Sequence, residues 1–252
     1  MLQFVALTLY NAVVPRSEHL EAVADLAEDQ WGLFTRRQAE ATGMAWTTLS
    51  RLASHGVAER VAHGVYRLRG SPPVDQLALR AAWLQLAPDT PVWERVMDQG
   101  VVSHRSAAAL LGLGHLPADV HHFILPIRRQ SRRADVALHR AHLDRVEWMV
   151  HEGLLVTTAA RTAADMLAER EDLDAIAHVV TDALRAGLDQ PGRVGAAIAT
   201  YAGRLNLTPG DGSALLEWLL DLTRAPERNR WVKQARVDLP ASRPAVSKGR
   251  GA

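Results

Sequence analysis

The stretch that decides the fold is residues 31–69, WGLFTRRQAEATGMAWTTLSRLASHGVAERVAHGVYRLR. Two short helical patterns meet at Gly43 and run straight into two short strand patterns joined at His63-Gly64. Thr35 followed by Gln38 forms a capping box that opens a helix over 36–42, with Phe34 placed as a hydrophobic staple and Gly43 at C′. A second helix covers Trp46–Ser54 and stops at Gly56. Leu49, Leu52 and Ala53 form its inward face, which leaves Thr47, Thr48, Ser50 and Arg51 pointing outward. Residues 57–61 and 65–69 are strands rich in β-branched and aromatic side chains, and Gly64 supplies the freedom of a tight turn. A helix over 17–29, capped by Ser17, precedes them and buries Leu20, Val23, Ala24, Ala27 and Trp31 as one stripe. This order of elements is that of a winged helix-turn-helix.

The outward face of the second helix has the chemistry of a major-groove reader. Short hydroxyl side chains (Thr47, Thr48, Ser50) approach base edges or phosphates, and Arg51 grips guanine or phosphate. Arg60, His63 and Arg67 fall on the wing, and Arg36 and Arg37 on the first helix. Trp46 has two readings, a plug for the corner between the helices or a surface that stacks on sugar and thymine methyl groups. Winged helices also serve as protein–protein modules or as inert structural lids. The charge of this module favours DNA. From 31 to 70 six arginines (Arg36, Arg37, Arg51, Arg60, Arg67, Arg69) face only Glu40 and Glu59, directly after five carboxylates at 18–29. Charge is segregated by segment, as a phosphate-contacting module requires.

Bulk properties add exclusions. The 252 residues carry 29 basic and 28 acidic groups, a formal net charge of +1, so no bulk basicity demands a polyanion. With 48% apolar residues the chain can bury a real core, as one large domain or two to three small ones. No cysteine is present, which excludes disulfide scaffolds, thiolate chemistry and Cys-ligated zinc, and fits the cytoplasm. Residues 1–14 are apolar without a signal-peptide pattern and read as an arm packing on the body, and no run is long enough to cross a membrane.

Beyond Ser71-Pro72-Pro73, which reads as a linker, the body follows an α+β pattern. Helices are expected at 75–87, at 105–111 after a cap at Ser103, from Thr157 or Thr158 through 168, and at 172–186, 191–204 and 213–222. Strands are expected at 120–125, 134–139, 146–149 and 154–156. The fold class is therefore α+β: an N-terminal winged helix-turn-helix, then a small mixed or antiparallel sheet with a helical C-terminal part. The domain boundaries fall at 1–70, 74–235 and a flexible basic tail at 236–252. Arg128, Arg129, Arg132 and Arg133 cluster on one turn, as a second phosphate-contacting patch, a dock for an acidic partner or a solvated turn. Seven histidines between 104 and 151 form no HExxH pair and no zinc-type cluster. No Walker A, GxGxxG or GxSxG motif occurs, so neither a metal nor another cofactor is expected, and no catalytic residue is assigned.

Together, residues 32–68, VVSHRSAAALLGLGHLP, FILP, VALHRAHL and GLLVTTAARTAADML resemble the antitoxins of AbiE-type (type IV) toxin–antitoxin systems, the AbiEi family, in their actinobacterial form. The likeness spans roughly residues 20–190. It implies a winged helix that binds inverted repeats in double-stranded DNA of the operon's own promoter, and a C-terminal domain needed to neutralise a cognate nucleotidyltransferase-like toxin, without a stable complex. By this resemblance Thr47, Thr48 and Arg51 lie on the recognition helix and Arg60 and Arg67 on the wing. Ser103, Arg105 and Ser106 form a central motif, and Thr157, Thr158 and Arg161 a second one; neither set has a mechanistic assignment. Many relatives carry serine where this chain has Ala45, so the recognition helix lacks its usual cap, typically worth ~1 kcal/mol.

The leading reading is a DNA-binding autorepressor and antitoxin, monomeric or weakly dimeric in solution, with two copies on a palindromic site. The alternatives are a protein-interaction module built on the winged helix and a nucleotide-handling enzyme. The second needs converging carboxylates, but Asp165, Glu169, Asp172 and Asp174 sit at an ordinary helix boundary.

Overall fold

The computed structural model describes residues 18–117 and 119–238. The expected cap at Ser17, the N-terminal arm and residues 239–252 of the tail lie outside the described residues. The chain divides into two compact units. One comprises Met1–Val102, Phe123–His142 and Val150–Leu155, the other Ser103–His122, Leu143–Met149 and Val156–Ala252.

In the first unit the winged helix is built as the sequence implies. Helix α1 (residues 18–28) is followed by β1 (Leu33–Thr35), α2 (Arg36–Ala41), α3 (Trp46–Ser54), β2 (Ala58–Ala62) and β3 (Val65–Leu68). The strands form an antiparallel sheet in the order β1-β3-β2, with Phe34 opposite Tyr66 and Glu59 opposite Arg67. Strand β1 is absent from the sequence reading: three residues are too few to show a period of two. Its Phe34 is fully buried and stacks on Tyr66 with ring centroids 5.8 Å apart. Val23, Ala27, Ala39, Met44, Leu49 and Ala58 complete this core.

After the wing comes α4 (Leu77–Leu86), apolar nearly all round and buried through Leu79, Ala82, Trp83 and Leu84. No glycine ends it. Instead the buried Arg95 donates to the carbonyls of Trp83, Leu84, Ala87 and Thr90 at 2.6–3.2 Å and stacks over the Trp83 ring. One guanidinium thus satisfies carbonyls that a helix C-terminus leaves without partners. Burial pulls its pKa down to about 10. Arg80, also buried, bonds the Glu152 carboxylate and its carbonyl and lies over the Trp31 ring.

A second sheet has five strands: β4 (Val101–Val102), β5 (His121–Leu125), β6 (Val136–Arg140), β7 (Trp148–His151) and β8 (Leu154–Thr157), in the order β6-β5-β4-β8-β7. Its central strand, β4, is two residues long and also absent from the sequence reading. β7 starts two residues later than expected, because Arg145–Glu147 forms a 3-10 turn.

The second unit is mainly helical: α5 (His104–Leu110), α6 (Ala159–Ala168), α7 (Leu173–Arg185), α8 (Pro191–Ile198), a 3-10 segment at Ala199–Leu205, α9 (Gly212–Leu222) and α10 (Arg228–Asp238). Thr158, Asp172 and Asp211 accept from first-turn amides as N-caps, and Pro191 opens α8 at N1. Helices α8 and α9 touch backbone to backbone. A Cβ on Gly212 would lie 1.9 Å from the Gly195 carbonyl oxygen, so only glycine fits there. Helix α10, absent from the sequence reading, buries Trp231, Val232 and Ala235. Among the described residues no helix is long and apolar enough to cross a membrane.

Candidate nucleic-acid interface

Helix α2 begins with the expected capping box: Thr35 Oγ1 accepts from the Gln38 amide at 3.1 Å, and Gln38 Oε1 accepts from the Thr35 amide at 2.9 Å. Gln38 also exchanges hydrogen bonds with the fully buried Gln30. These amides lock α2 against β1 and so set the floor on which α3 rests. Helix α3 begins at Ala45, whose backbone is extended (φ −63°, ψ 145°) as a cap residue's should be but which offers no side-chain acceptor.

Leu49 is buried, and Leu52 and Ala53 pack on the same core. Thr47, Ser50, Arg51 and Ser54 follow one another at helical spacing on the opposite side, all exposed. Thr48 is half-buried at the edge of this face rather than on it. Arg51 extends into solvent with no side-chain partner among the described residues. Trp46 is 44% exposed, so it does not plug the corner. Its ring carries the Arg36 guanidinium at 4.5 Å, while Arg36 also pairs with Glu40 at 2.6 Å.

The wing is the β2–β3 hairpin, turning at His63-Gly64 with Gly64 at φ 70°. A register shift between Arg60 and Ala62 bends β2 near the tip. Arg60 is exposed and its guanidinium meets His63 Nδ1 at 2.9 Å, so the two present one polar tip. Arg67 departs from the expected wing position. Its side chain is half-buried, donates to the carbonyls of Ser71 and Pro72 at 2.8 and 2.6 Å, and faces Glu59 at 3.6 Å. It fastens the chain leaving the wing and is not presented to a ligand. Arg37 is exposed beside Asp89 at 3.3 Å, a solvent-screened pair of small energy.

Two contributors stand outside the residues assigned to the interface from sequence. Arg69, exposed, lies over Gly56 at the end of α3, where a Cβ would meet its guanidinium at 3.0 Å. Gln85 of α4 donates to the His63 carbonyl at 2.7 Å and accepts from Arg133. The wing tip is therefore braced by a side chain 22 residues away, a link no local pattern announces. Between them, Arg36, Arg37, Glu40, His63, Gly64 and Val65 line a groove of about 470 Å³.

Most of the other candidates are committed to the fold. In the 128–133 cluster, Arg129 donates to the Leu86 carbonyl at 2.6 Å and Arg133 pairs with Asp135; only Arg128 and Arg132 stay exposed without a partner among the described residues. Ser103 stands at the N-cap of α5 but makes no capping bond, its hydroxyl meeting His104 Nδ1 at 2.9 Å. Ser106 Oγ donates to the Val120 carbonyl and accepts from the His122 amide. Arg105 forms a two-point pair with Glu171. Thr157 bonds Thr162 at 2.7 Å, and Thr158 is the cap of α6. Arg161 bridges Asp165 at 2.7 Å and Glu147 at 3.0 Å. Burial, only partly offset by Arg161, pushes the Asp165 carboxyl up to about 6.

Comparison with known proteins bears on the fold and on the winged helix. The crystal structure of the RV2827C protein from Mycobacterium tuberculosis is similar in fold, with a TM-score of 0.50 and 14% identity over 88% of this chain and 81% of that one. No curated protein matches the chain. Residues 21–69 match the family model described as "Transcriptional regulator, AbiEi antitoxin", a span that starts inside α1 and ends with the wing. The winged helix of this chain is therefore similar to that of the AbiEi antitoxin transcriptional regulators over residues 21–69.

Proposed function

We propose that the protein represses its own toxin–antitoxin operon in the cytoplasm and neutralises a nucleotidyltransferase-like toxin made from the same operon. Helix α3 enters the major groove with Thr47, Ser50 and Arg51 toward base edges. Thr48 and Trp46 flank them, while Arg60 and His63 at the wing tip and Arg36 and Arg37 on α2 meet phosphate. The observation that carries this reading is the exposed α3 face, in which Arg51 has no partner of its own. A surface arginine left unpaired amid short hydroxyls suits a base edge or phosphate far better than solvent alone.

One short helix reads only a few base pairs, so two copies occupy an inverted repeat, from a monomer or weak dimer in solution. Residues 74–235 carry the neutralising activity, and toxin and antitoxin act without a lasting complex. Exposed Arg128 and Arg132 add a second phosphate-contacting point.

The test is a gel shift on the DNA upstream of the chain's own reading frame, with wild type and Arg51→Ala. Wild type is expected to bind selectively. Losing one bidentate base contact costs about 1–3 kcal/mol, roughly 5- to 150-fold in affinity. Selective binding that persists unchanged in Arg51→Ala would refute the assignment of α3, and no upstream binding at low salt would refute repression. Growth rescue from the neighbouring toxin tests the second half separately: rescue by residues 1–70 alone would contradict a neutralising role for 74–235.

A further inference from the structure

The second unit contains a cleft that DNA binding leaves unused. It measures about 710 Å³, and its walls include Leu167, Arg170, Leu173, Tyr201, Arg204 and Leu205. That volume lies in the range of small-molecule sites, roughly 300–1,000 Å³. The lining is mostly apolar with a few charged groups at its edge, which is also how such sites are built.

The charges at the cleft are unequally committed. Glu171 is held at two points by Arg105, with Nε to Oε1 at 2.6 Å. Asp172 caps α7, its Oδ1 accepting from the amides of Asp174 and Ala175, where the helix dipole compensates its charge. Arg204 gives one nitrogen to the Leu167 carbonyl at 3.2 Å and spreads over the Tyr201 ring at 4.9 Å, and its other nitrogens make no hydrogen bond among the described residues. Arg170 is exposed and has no ion pair or hydrogen bond from its side chain among the described residues. Its backbone is left-handed (φ 59°) just past the end of α6, a position where glycine is favoured. An arginine stands there against the local backbone preference, beside an apolar floor. Both carboxylates are thus spoken for, and the uncommitted donors are cationic. The chain's own C-terminal stretch, with Arg243, Lys248 and Arg250, has the wrong charge to fill the site.

We propose that this cleft binds a small phosphorylated molecule with a planar ring, of the nucleoside 5′-triphosphate type. Arg170 and Arg204 hold the phosphates, and Leu167, Leu173 and Tyr201 receive the ring. This is independent of the DNA-binding role of the winged helix.

The experiment is isothermal titration of the full chain with ATP, GTP, CTP and UTP, and with inorganic tripolyphosphate. At least one nucleotide is expected to bind below about 1 mM, and tripolyphosphate about tenfold more weakly for want of the ring. Arg170→Gly removes the charge while suiting the left-handed backbone, so it is expected to melt no lower than wild type and to bind about tenfold more weakly. Tyr201→Ala is expected to weaken the nucleotide but not tripolyphosphate. Arg193→Ala, an exposed arginine on α8 outside the cleft, serves as the control and leaves binding unchanged. Absence of binding by all four nucleotides, equal affinity for tripolyphosphate, or unchanged binding in Arg170→Gly would each overturn the proposal.

Discussion

Helices α3 and α6 each carry an arginine, and they treat it in opposite ways. On α3 the N-terminus has no side-chain cap, and Arg51 projects into solvent without a partner among the described residues. On α6 the Thr158 hydroxyl caps the helix, Asp189 Oδ2 accepts from the Ala160 amide at 2.9 Å, and Arg161 is clamped between Asp165 and Glu147. Both helices are of similar length and follow a similar rule of amphipathic spacing. What separates them is whether the charged group has been satisfied within the fold. A satisfied arginine is architecture; an unsatisfied one on a polar face is available to a ligand. By that criterion the 103–106 and 157–161 motifs hold their own unit together, and Arg51 on the polar face of α3 is the arginine of this pair left available to a ligand.

The largest effect expected from this contrast is on the α6 side. Arg161→Ala removes the partner of a buried carboxylate and should cost about 3–5 kcal/mol of stability near neutral pH. The loss should shrink toward pH 5, where Asp165 can take a proton instead. Chemical denaturation at pH 7.5 and pH 5 measures both; a loss under about 1 kcal/mol at pH 7.5 would show that Arg161 organises little. The matching change on α3, Arg51→Ala, should move stability by no more than about 0.5 kcal/mol, because surface positions without partners rarely do more. Its whole cost should fall on DNA affinity. A large drop in melting temperature would mean that Arg51 belongs to the fold after all.

The same contrast explains how far the sequence could be read. The winged helix was legible because its signals are local: a capping box three residues apart, glycines at Gly43 and Gly64, and apolar spacing along α3. The face of α3 followed from that spacing alone, apart from Thr48, which sits on the border. What remained hidden depends on distant partners. Strands β1 and β4 are too short to carry a period, although β4 is the centre of its sheet. Arg67 alternates with Tyr66 and so looked outward-facing, but the carbonyls at 71 and 72 turn it inward. Arg95 caps α4 from nine residues beyond the end of the helix, and Gln85 reaches a wing tip 22 residues earlier. No pattern rule spans such distances.

A smaller effect comes from Asp165 itself. Its carboxyl is raised from 3.8 to about 6 in the folded chain because burial outweighs the attraction of Arg161. Between those values the folded state holds a proton that the unfolded state has released. This group therefore makes stability fall as pH rises from about 4 to 6, with no further change above that window. A shift of this size corresponds to no more than about 2–3 kcal/mol. Asp165→Asn should remove that slope, so the wild-type and variant curves converge or cross on acidification. Parallel curves from pH 4 to 7 would mean that Asp165 titrates normally.

The smallest effect, and the sharpest test of the comparison, is to give α3 the cap that α6 already has. Ala45 has an extended backbone and is exposed, so serine fits without strain, and Ala45→Ser should add about 1 kcal/mol. For a chain of this size that is a rise of about 2–4 °C in melting temperature, if the unit melts in one step. The new hydroxyl would also occupy a first-turn amide that DNA phosphate would otherwise meet at the helix N-terminus. DNA affinity should then fall by a few-fold while stability rises, which a packing defect at Trp46 could not produce. Gains in both, or in neither, would show that the bare start of α3 is an accident of this sequence and not part of how it meets DNA.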